Sequence, residues 1–297
     1  MRTTEGTDGK PILPDVGFGT YRTGGYECYN AVQEALEMGY RHLDTAMAYE
    51  NEAAVGRAIA QSDVDREDIF LATKIKGYPE FLEYDRLLRA AEGCLERLDT
   101  DTIDLLLIHW WNPVADMERT FAAVDRLVDE GKVEHIGVSN FSVPQLRRAM
   151  NVSDSPIVTN QIEYHPYWDN SDIVQFCQQQ NIIVTAYSPL AEGRVVGDET
   201  MQAIGERHGK TPAQVAIRWL IQQENVVTIP KTITTEHMRD NIDVFDFELS
   251  AGEIAAIDEL DGPFWYRTNR EGGYGYRFRN LVSPLVPNAV AERLPLP

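Results

Sequence analysis

The sequence predicts an α/β fold, a single (β/α)8 barrel of the TIM type, and three observations support it. The chain has 297 residues, and such a barrel needs about 250. Eight short apolar segments alternate with amphipathic, helix-favouring segments, which is the pattern of parallel strands buried on both faces. Eight is also the number of parallel strands that closes a barrel. We therefore expect one domain over residues 1–297, with an N-terminal hairpin and a C-terminal loop over the barrel mouth.

The elements follow in order along the chain. The first fourteen residues are expected to form a hairpin, because Asp8-Gly9 is a turn signal between two short extended runs. The eight predicted strands are 16–20, 42–46, 69–75, 102–110, 133–140, 157–164, 182–189 and 226–232. Helices are predicted over 27–38, 85–98, 117–130, 171–180, 211–223 and 250–260. Residues 261–297 show neither period and are rich in aromatics, arginine, glycine and proline, so they predict a long substrate loop over the mouth.

The composition limits the classes of partner. A net charge of −20, from 47 acidic and 27 basic side chains, disfavours nucleic acid and anionic membranes. No segment approaches the roughly 18 continuous apolar residues of a membrane span, and the amino terminus lacks the features of a secretory signal, so a soluble, cytoplasmic protein is expected. Three widely spaced cysteines predict neither a disulfide framework nor a metal site, and no metal is expected.

The acidic charge also indicates a host environment. Only six of the 27 basic side chains are lysines. At molar salt the Debye length falls to about 3 Å, which screens the repulsion between surface carboxylates. We therefore predict a halophilic protein; the alternative is an acidic protein of an ordinary cytosol.

Polar side chains stand at the ends of the predicted strands. In a parallel barrel the carboxyl ends of the strands form the active-site rim. Taken one at a time, Asp44 could cap a helix, Lys74 could be solvated and His109 could be a core histidine. Their joint placement favours an active site instead. The residues at the predicted strand ends are Asp44, Lys74, His109, Ser139, Asn140, Gln161, Glu163, Tyr187, Ser188 and Lys231.

Several longer motifs carry a specific resemblance to the aldo-keto reductase family, which extends to about residue 260. The first resembles that family's first signature and places Asp44 and Tyr49 five residues apart, with Glu52 and Gly56 following. The others follow in the family's order. The motifs are GYRHLDTAMAYENEAAVG (39–56), GVSNF (137–141), NQIEYHPY (160–167), TAYSPL (185–190) and IPKT (229–232).

The resemblance implies reduction of a carbonyl group with Tyr49 as the proton donor. It assigns Lys74 and Asp44 to tuning that acid and His109 to orienting the substrate carbonyl. The chemistry agrees, because a free tyrosine titrates near pH 10 and needs about 3 kcal/mol of phenolate stabilisation to act at neutral pH. A neighbouring ammonium provides it, and a carboxylate holds that ammonium in place.

The resemblance also implies a nicotinamide cofactor, NADP(H) and possibly NAD(H). The Gly17-Phe18-Gly19 run is no Rossmann fingerprint, because Arg22 replaces its third glycine. In this family an arginine at the position of His237 grips the 2′-phosphate, so NADPH is favoured here mainly through Lys231 and Arg239. Tyr187 is expected to stack on the nicotinamide. The implied cofactor residues are Thr20, Ser139, Asn140, Gln161, Tyr187, Ser188, Leu190, Lys231, Thr232, His237 and Asn241.

Aromatic side chains are expected to line the substrate pocket, namely Tyr21, Trp110, Trp111 and Trp265. Such walls favour a small aldehyde or ketone with an apolar part. The resemblance implies a monomer or a weak homodimer. Two alternatives stay open: an NADPH-binding redox-sensing regulatory subunit with slow turnover, and a barrel hydrolase that uses Asp44 and Glu163 as a carboxylate pair.

Overall fold

The computed structural model describes residues 3–5, 11–168 and 170–260. It begins with the strands β1 (Thr3–Glu5) and β2 (Pro11–Pro14), which pair antiparallel and confirm the predicted hairpin. The predicted turn at Asp8-Gly9 lies outside the described residues. The prediction of one domain over 1–297 and of a loop over the mouth stays a prediction, since 261–297 is not described either.

Eight parallel strands follow, each within one of the predicted segments, and each pairs with the next one along the chain. This order confirms the (β/α)8 architecture. The strands are β3 (Phe18–Gly19), β4 (His42–Asp44), β5 (Phe70–Ile75), β6 (Ile103–Ile108), β7 (Val133–Ser139), β8 (Ile157–Glu163), β9 (Ile183–Tyr187) and β10 (Val226–Thr228).

The barrel closes where β10 meets the segment around β3. Val16 and Thr228 form a parallel bridge. Gly17 N–H donates to the Thr228 carbonyl at 2.8 Å, and Gly19 N–H donates to the Pro230 carbonyl at 3.1 Å. A Cβ atom on Gly19 would lie 2.7 Å from the Ile229 carbonyl oxygen. Gly19 therefore allows the close approach of backbones that closes the sheet.

The helices cover the outside of the barrel, and all six predicted helices are confirmed to within a few residues. Capping boxes start two of them, at Thr211 and at Ser250. The helices are α1 (Gly25–Glu37), α2 (Glu52–Ala60), α3 (Pro79–Leu82), α4 (Tyr84–Leu98), α5 (Met117–Asp129), α6 (Val143–Val152), α7 (Ser171–Gln179), α8 (Glu199–His208), α9 (Pro212–Ile221), α10 (Thr235–Ile242) and α11 (Ala251–Asp258). None of the helices within the described ranges has both the length and the apolar character needed to cross a membrane.

Apolar side chains fill the barrel interior as well as the layer between barrel and helices. Leu13 of β2 packs in the interior with Ala72, Leu105, Leu107 and Val227, all fully or almost fully buried. β2 leads directly into the amino end of β3, and Leu13 of β2 is buried inside the barrel. The hairpin therefore covers the amino end of the barrel. The carboxyl end is the one that carries the polar residues.

Candidate active site

Four residues with reactive side chains lie at the carboxyl end of β4, β5 and β6. Asp44 is the last residue of β4, Lys74 is the penultimate residue of β5, and His109 follows directly after β6. Tyr49 ends a single 3-10 turn, Met47–Tyr49, that follows β4. The parallel strands therefore bring together residues that are up to 65 positions apart.

Lys74 and Asp44 form a buried ion pair. Lys74 Nζ donates to Asp44 Oδ1 at 2.6 Å and to the carbonyl of Thr45 at 2.7 Å, and its side chain is 0% exposed. Both neighbours are acceptors, which matches an ammonium group that has three protons to donate. Burial lowers the pKa of Lys74, while Asp44 and then Glu52 act in the opposite direction. The alternative of a solvated Lys74 is wrong.

Tyr49 is enclosed by a cation, an imidazole and a second phenol. Lys74 Nζ lies 5.0 Å from the centroid of the Tyr49 ring. The ring of His109 meets Tyr49 edge-on at 5.7 Å between centroids, and the ring of Tyr21 lies at 5.1 Å. Tyr49 thus stands between the buried charge pair and the partly open rim, where Tyr21 is 52% exposed.

His109 is held as a neutral imidazole. Its burial, together with the positive charges of Lys74 and Lys76, lowers its pKa to about 3. At neutral pH the ring can donate one hydrogen bond but carries no extra proton to give away. In this arrangement His109 is suited to polarise an acceptor oxygen and unsuited to act as the acid.

Asn51 holds the Tyr49 loop in place, and the sequence analysis missed this residue. Its Nδ2 donates to the carbonyls of Thr20 and Thr23, both at 2.9 Å, while Thr45 Oγ1 donates to its Oδ1 at 2.6 Å. The amide therefore fastens the β3–α1 loop to the segment that carries Tyr49. Asn51 is 1% exposed and lies within the first family-like motif, which was the available signal.

Four of the implied cofactor residues form one hydrogen-bonded cluster across β7, β8 and β9. Tyr187 Oη donates to Asn140 Oδ1 and Asn140 Nδ2 donates to Ser139 Oγ, both at 2.9 Å. Ser139 Oγ in turn donates to the Gln161 carbonyl at 2.9 Å. The side chain of Gln161 donates from Nε2 to Asp44 Oδ2 at 2.7 Å. The cluster is therefore bonded directly to the Lys74–Asp44 pair.

The other implied cofactor residues extend from this cluster along β9, β10 and α10. Ser188 follows β9 with a left-handed backbone, φ 52°, and Leu190 is partly buried nearby in the chain. Thr20 Oγ1 donates to the Asp44 carbonyl at 2.9 Å. His237 is exposed on α10, and Thr232 is partly buried in the segment before that helix. Asn241, also on α10, is 2% exposed.

The expected place of Lys231 at the end of the last strand is wrong. β10 ends at Thr228, three residues earlier, and Lys231 is exposed in the following loop. Pro230 explains the difference, because it has no N–H group to continue the ladder of hydrogen bonds.

The predicted pocket residues take different positions. Trp110 stacks beside His109 at 6.4 Å between ring centroids. Trp111 instead meets Phe141 edge-on at 6.1 Å and is partly buried against the core. Tyr21 lies on Tyr49, as described above, and Trp265 lies outside the described residues.

The carboxylate pair of the hydrolase alternative is engaged elsewhere. Both oxygens of Asp44 accept hydrogen bonds, from Lys74 and from Gln161. Glu163 is 7% exposed and its Oε1 lies 3.3 Å from His165 Nε2. The engagement of both Asp44 oxygens disfavours a role for Asp44 as the base of a hydrolase.

Comparison with known proteins gives a consistent result. A model of the Aldo/keto reductase family matches residues 15–262. An aldo-keto reductase of Mycolicibacterium smegmatis is 44% identical over 257 residues, covering 86% of this chain and 91% of that protein. A glyoxal reductase of Bacillus subtilis is 39% identical over 251 residues, covering 84% and 89%. The solved aldose reductase of Schistosoma japonicum superposes with a TM-score of 0.83 at 32% identity, covering 92% of this chain and 97% of that one.

Proposed function

The chain belongs to the aldo/keto reductase family and is an oxidoreductase that acts on carbonyl groups; from this premise we propose an NADPH-dependent reduction of a small aldehyde or ketone, with Tyr49 as the acid. The observation that carries the proposal is the buried Lys74–Asp44 pair beside Tyr49. A buried ion pair at the rim of the barrel is typical of an active site, because ionisable groups with strongly shifted pKa values cluster at functional sites.

The residues present fit a nicotinamide cofactor. The Tyr187 ring is fixed through its hydroxyl on Asn140, which prepares a flat surface for stacking. Asn241 and Gln161 each bring a side-chain amide to the site; the two residues are 2% and 3% exposed, and Gln161 donates from Nε2 to Asp44. Such groups suit the adenine and the carboxamide of the cofactor. When bound, the cofactor supplies the hydride that no side chain can donate.

Proton delivery is assigned to Tyr49 by the state of its neighbours. His109 is neutral at physiological pH, so it has no proton to spare. Lys74 is an ammonium whose positive charge stabilises a phenolate, and Asp44 and Thr45 fix its Nζ atom. Loss of the Tyr49 proton to the substrate oxygen therefore leaves a negative charge next to a fixed positive one.

His109 has a separate role in this scheme. A neutral imidazole next to the Tyr49 ring donates a hydrogen bond to the carbonyl oxygen, where negative charge grows during reduction. The substrate oxygen would thus lie between two donors, one that keeps its proton and one that gives it away.

The substrate class follows from the rim and from the relatives. Tyr21 and Trp110 provide apolar walls next to Tyr49 and His109. A relative with 39% identity is a glyoxal reductase, so short dicarbonyl compounds are the first candidates. We propose NADPH as the preferred cofactor, because Lys231, before α10, and Arg239, within it, are exposed cations that can pair with the 2′-phosphate. His237 in place of the family's arginine allows some use of NADH.

The experiment is a Tyr49→Phe replacement, followed through NADPH absorbance with glyoxal, methylglyoxal and aromatic aldehydes. We expect the variant to lose at least about 1,000-fold in kcat and to keep its NADPH affinity, because the ring remains and only the proton donor is removed. A fully active variant would refute Tyr49 as the acid. Tight NADPH binding by the wild type with negligible turnover on all substrates would instead favour the cofactor-sensing subunit.

A further inference from the structure

A hydrogen bond between Gln161 and Asp44 joins the cofactor cluster to the acid. We propose that Gln161 is a positioning residue for proton transfer, which holds the Asp44 carboxylate toward Lys74 and thereby couples occupancy of the cofactor site to the ionisation of Tyr49. This inference rests on the proposed function, since it concerns the same proton. It assigns Gln161 a second role besides contact with the cofactor.

The geometry of the carboxylate is the first support. Lys74 Nζ donates to Oδ1 at 2.6 Å and Gln161 Nε2 donates to Oδ2 at 2.7 Å, so each oxygen of Asp44 has its own donor. The three residues are 0%, 2% and 3% exposed for Lys74, Asp44 and Gln161. Water has little access to replace either donor. Removal of the Gln161 amide would leave Oδ2 as a buried unpaired acceptor, and the carboxylate would rotate or draw closer to Lys74.

The other end of Gln161 is anchored in the cofactor cluster. Its carbonyl accepts hydrogen bonds from Ser139 Oγ and from the Asn140 N–H, both at 2.9 Å. The side chain donates through Nε2 to Asp44, and its Oε1 accepts no hydrogen bond from any residue in the described ranges. An amide N–H of a bound cofactor suits this acceptor. A donor at Oε1 would polarise the amide and strengthen its bond to Asp44.

The coupling acts through charge. The Gln161 bond draws part of the Asp44 negative charge away from Lys74, so more of the ammonium field is available to stabilise a phenolate at Tyr49. Without this bond, the Asp44 charge would cancel more of the positive potential that Lys74 produces at the Tyr49 hydroxyl. The phenol would then ionise at a higher pH. A residue that only contacts the cofactor would change the cofactor KM and leave this ionisation unchanged.

The test compares Gln161→Met with the wild type in pH profiles of kcat at saturating NADPH and aldehyde. Methionine keeps the volume and removes the donor. We expect the fall of kcat at high pH to move upward by about 0.5 pH unit, roughly a threefold change in the ionisation constant. The rise of kcat for alcohol oxidation by NADP⁺ should move upward by the same amount. The matched control is Ser139→Ala, which removes a hydroxyl of the same cluster that has no bond to Asp44, and should raise the cofactor KM without moving either profile.

A second variant, Gln161→Glu, controls for misfolding, because a glutamate side chain has the same shape as glutamine. In its protonated form Glu keeps a donor toward Asp44, so we expect kcat at pH 6 to stay within about threefold of the wild type. At pH 8 two adjacent carboxylates should lower kcat at least about tenfold. An unmoved profile in Gln161→Met, or equal losses at both pH values in Gln161→Glu, overturns the inference. Absence of turnover in the wild type would refute the proposed function instead.

Discussion

Replacing Lys74 with methionine separates the contribution of the buried ammonium to folding from its contribution to chemistry. The side chain of Lys74 is 0% exposed and that of Asp44 is 3% exposed, with 2.6 Å between Nζ and Oδ1. Methionine fills most of the same volume, so the loss of the charge dominates the effect. Asp44 would keep Gln161 as a donor and lose the cation.

The expected cost in stability is about 3–5 kcal/mol, since removing one partner leaves an uncompensated buried charge. The pair itself contributes far less, because desolvation of two ions offsets most of their attraction. A double variant, Lys74→Met with Asp44→Asn, should therefore recover most of the loss and come within about 2 kcal/mol of the wild type. Turnover should not recover. Both variants lack the ammonium, and kcat should be at least about 100-fold lower, equal to about 3 kcal/mol of phenolate stabilisation.

Urea unfolding followed by fluorescence gives the free energies, and NADPH oxidation with glyoxal gives kcat. The same substitution at Lys132, which pairs with Glu92 and Glu130 at the surface, is the matched control and should cost about 1 kcal/mol or less. A loss below about 1 kcal/mol in Lys74→Met would refute the argument that this pair is desolvated. Recovery of turnover in the double variant would refute the role of the ammonium in catalysis.

Three further predictions concern pH, salt and cofactor preference. Burial lowers the pKa of His42 to about 4 in the folded protein. As the pH falls, His42 therefore takes up a proton in the unfolded chain at a higher pH than in the folded one. This difference should reduce the unfolding free energy by about 2 kcal/mol between pH 7 and pH 5. His42→Leu should remove that part of the decline in urea titrations at the two pH values, and an unchanged decline would count against it. With a net charge of −20, activity and Tm should rise from dilute buffer to 2 M KCl, and full activity without salt would reject the halophilic hypothesis. His237→Arg should raise the NADPH to NADH ratio of kcat/KM about tenfold, and an unaltered ratio would place the 2′-phosphate elsewhere.

The strands and helices were predictable because their causes are local. Parallel strands buried on both faces require continuous apolar runs, and capping boxes such as Thr211 with Gln214 mark where helices begin. The predicted end of β10 was too late, because the apolar run continues to Pro230 although the strand itself ends at Thr228. Proline has no N–H group to donate to the neighbouring strand, and hydropathy does not show this. Local pattern therefore fixed which elements form and left the end of this strand uncertain by a few residues.

The contacts of the site were not predictable in the same way. Residue types at the strand ends and a family resemblance indicated which side chains matter. No pattern in sequence showed that Gln161 donates to Asp44, because 117 positions separate them and only closure of the barrel brings them together. Lysine is rarely buried, so Lys74 taken alone could equally have been a solvated residue, whereas the structure buries it completely. The bond network of Asn51 depends on the path of two loops, which has no local signature.

The first family-like motif combines chemical and structural requirements. Glu52 is 1% exposed, accepts a hydrogen bond from Thr73 Oγ1 at 2.6 Å and pairs with Arg97 at 2.7 Å, so it ties α2 to β5 and α4. A Cβ atom on Gly56 would lie 2.5 Å from the carbonyl carbon of Leu98, so α2 can approach α4 only with glycine there. Both residues fix α2, the helix that follows the Tyr49 turn, whereas the proposed catalytic residues Asp44 and Tyr49 lie before that helix. Substitutions at Glu52 or Gly56 should therefore reduce stability first, although they belong to the same motif as the proposed acid, Tyr49.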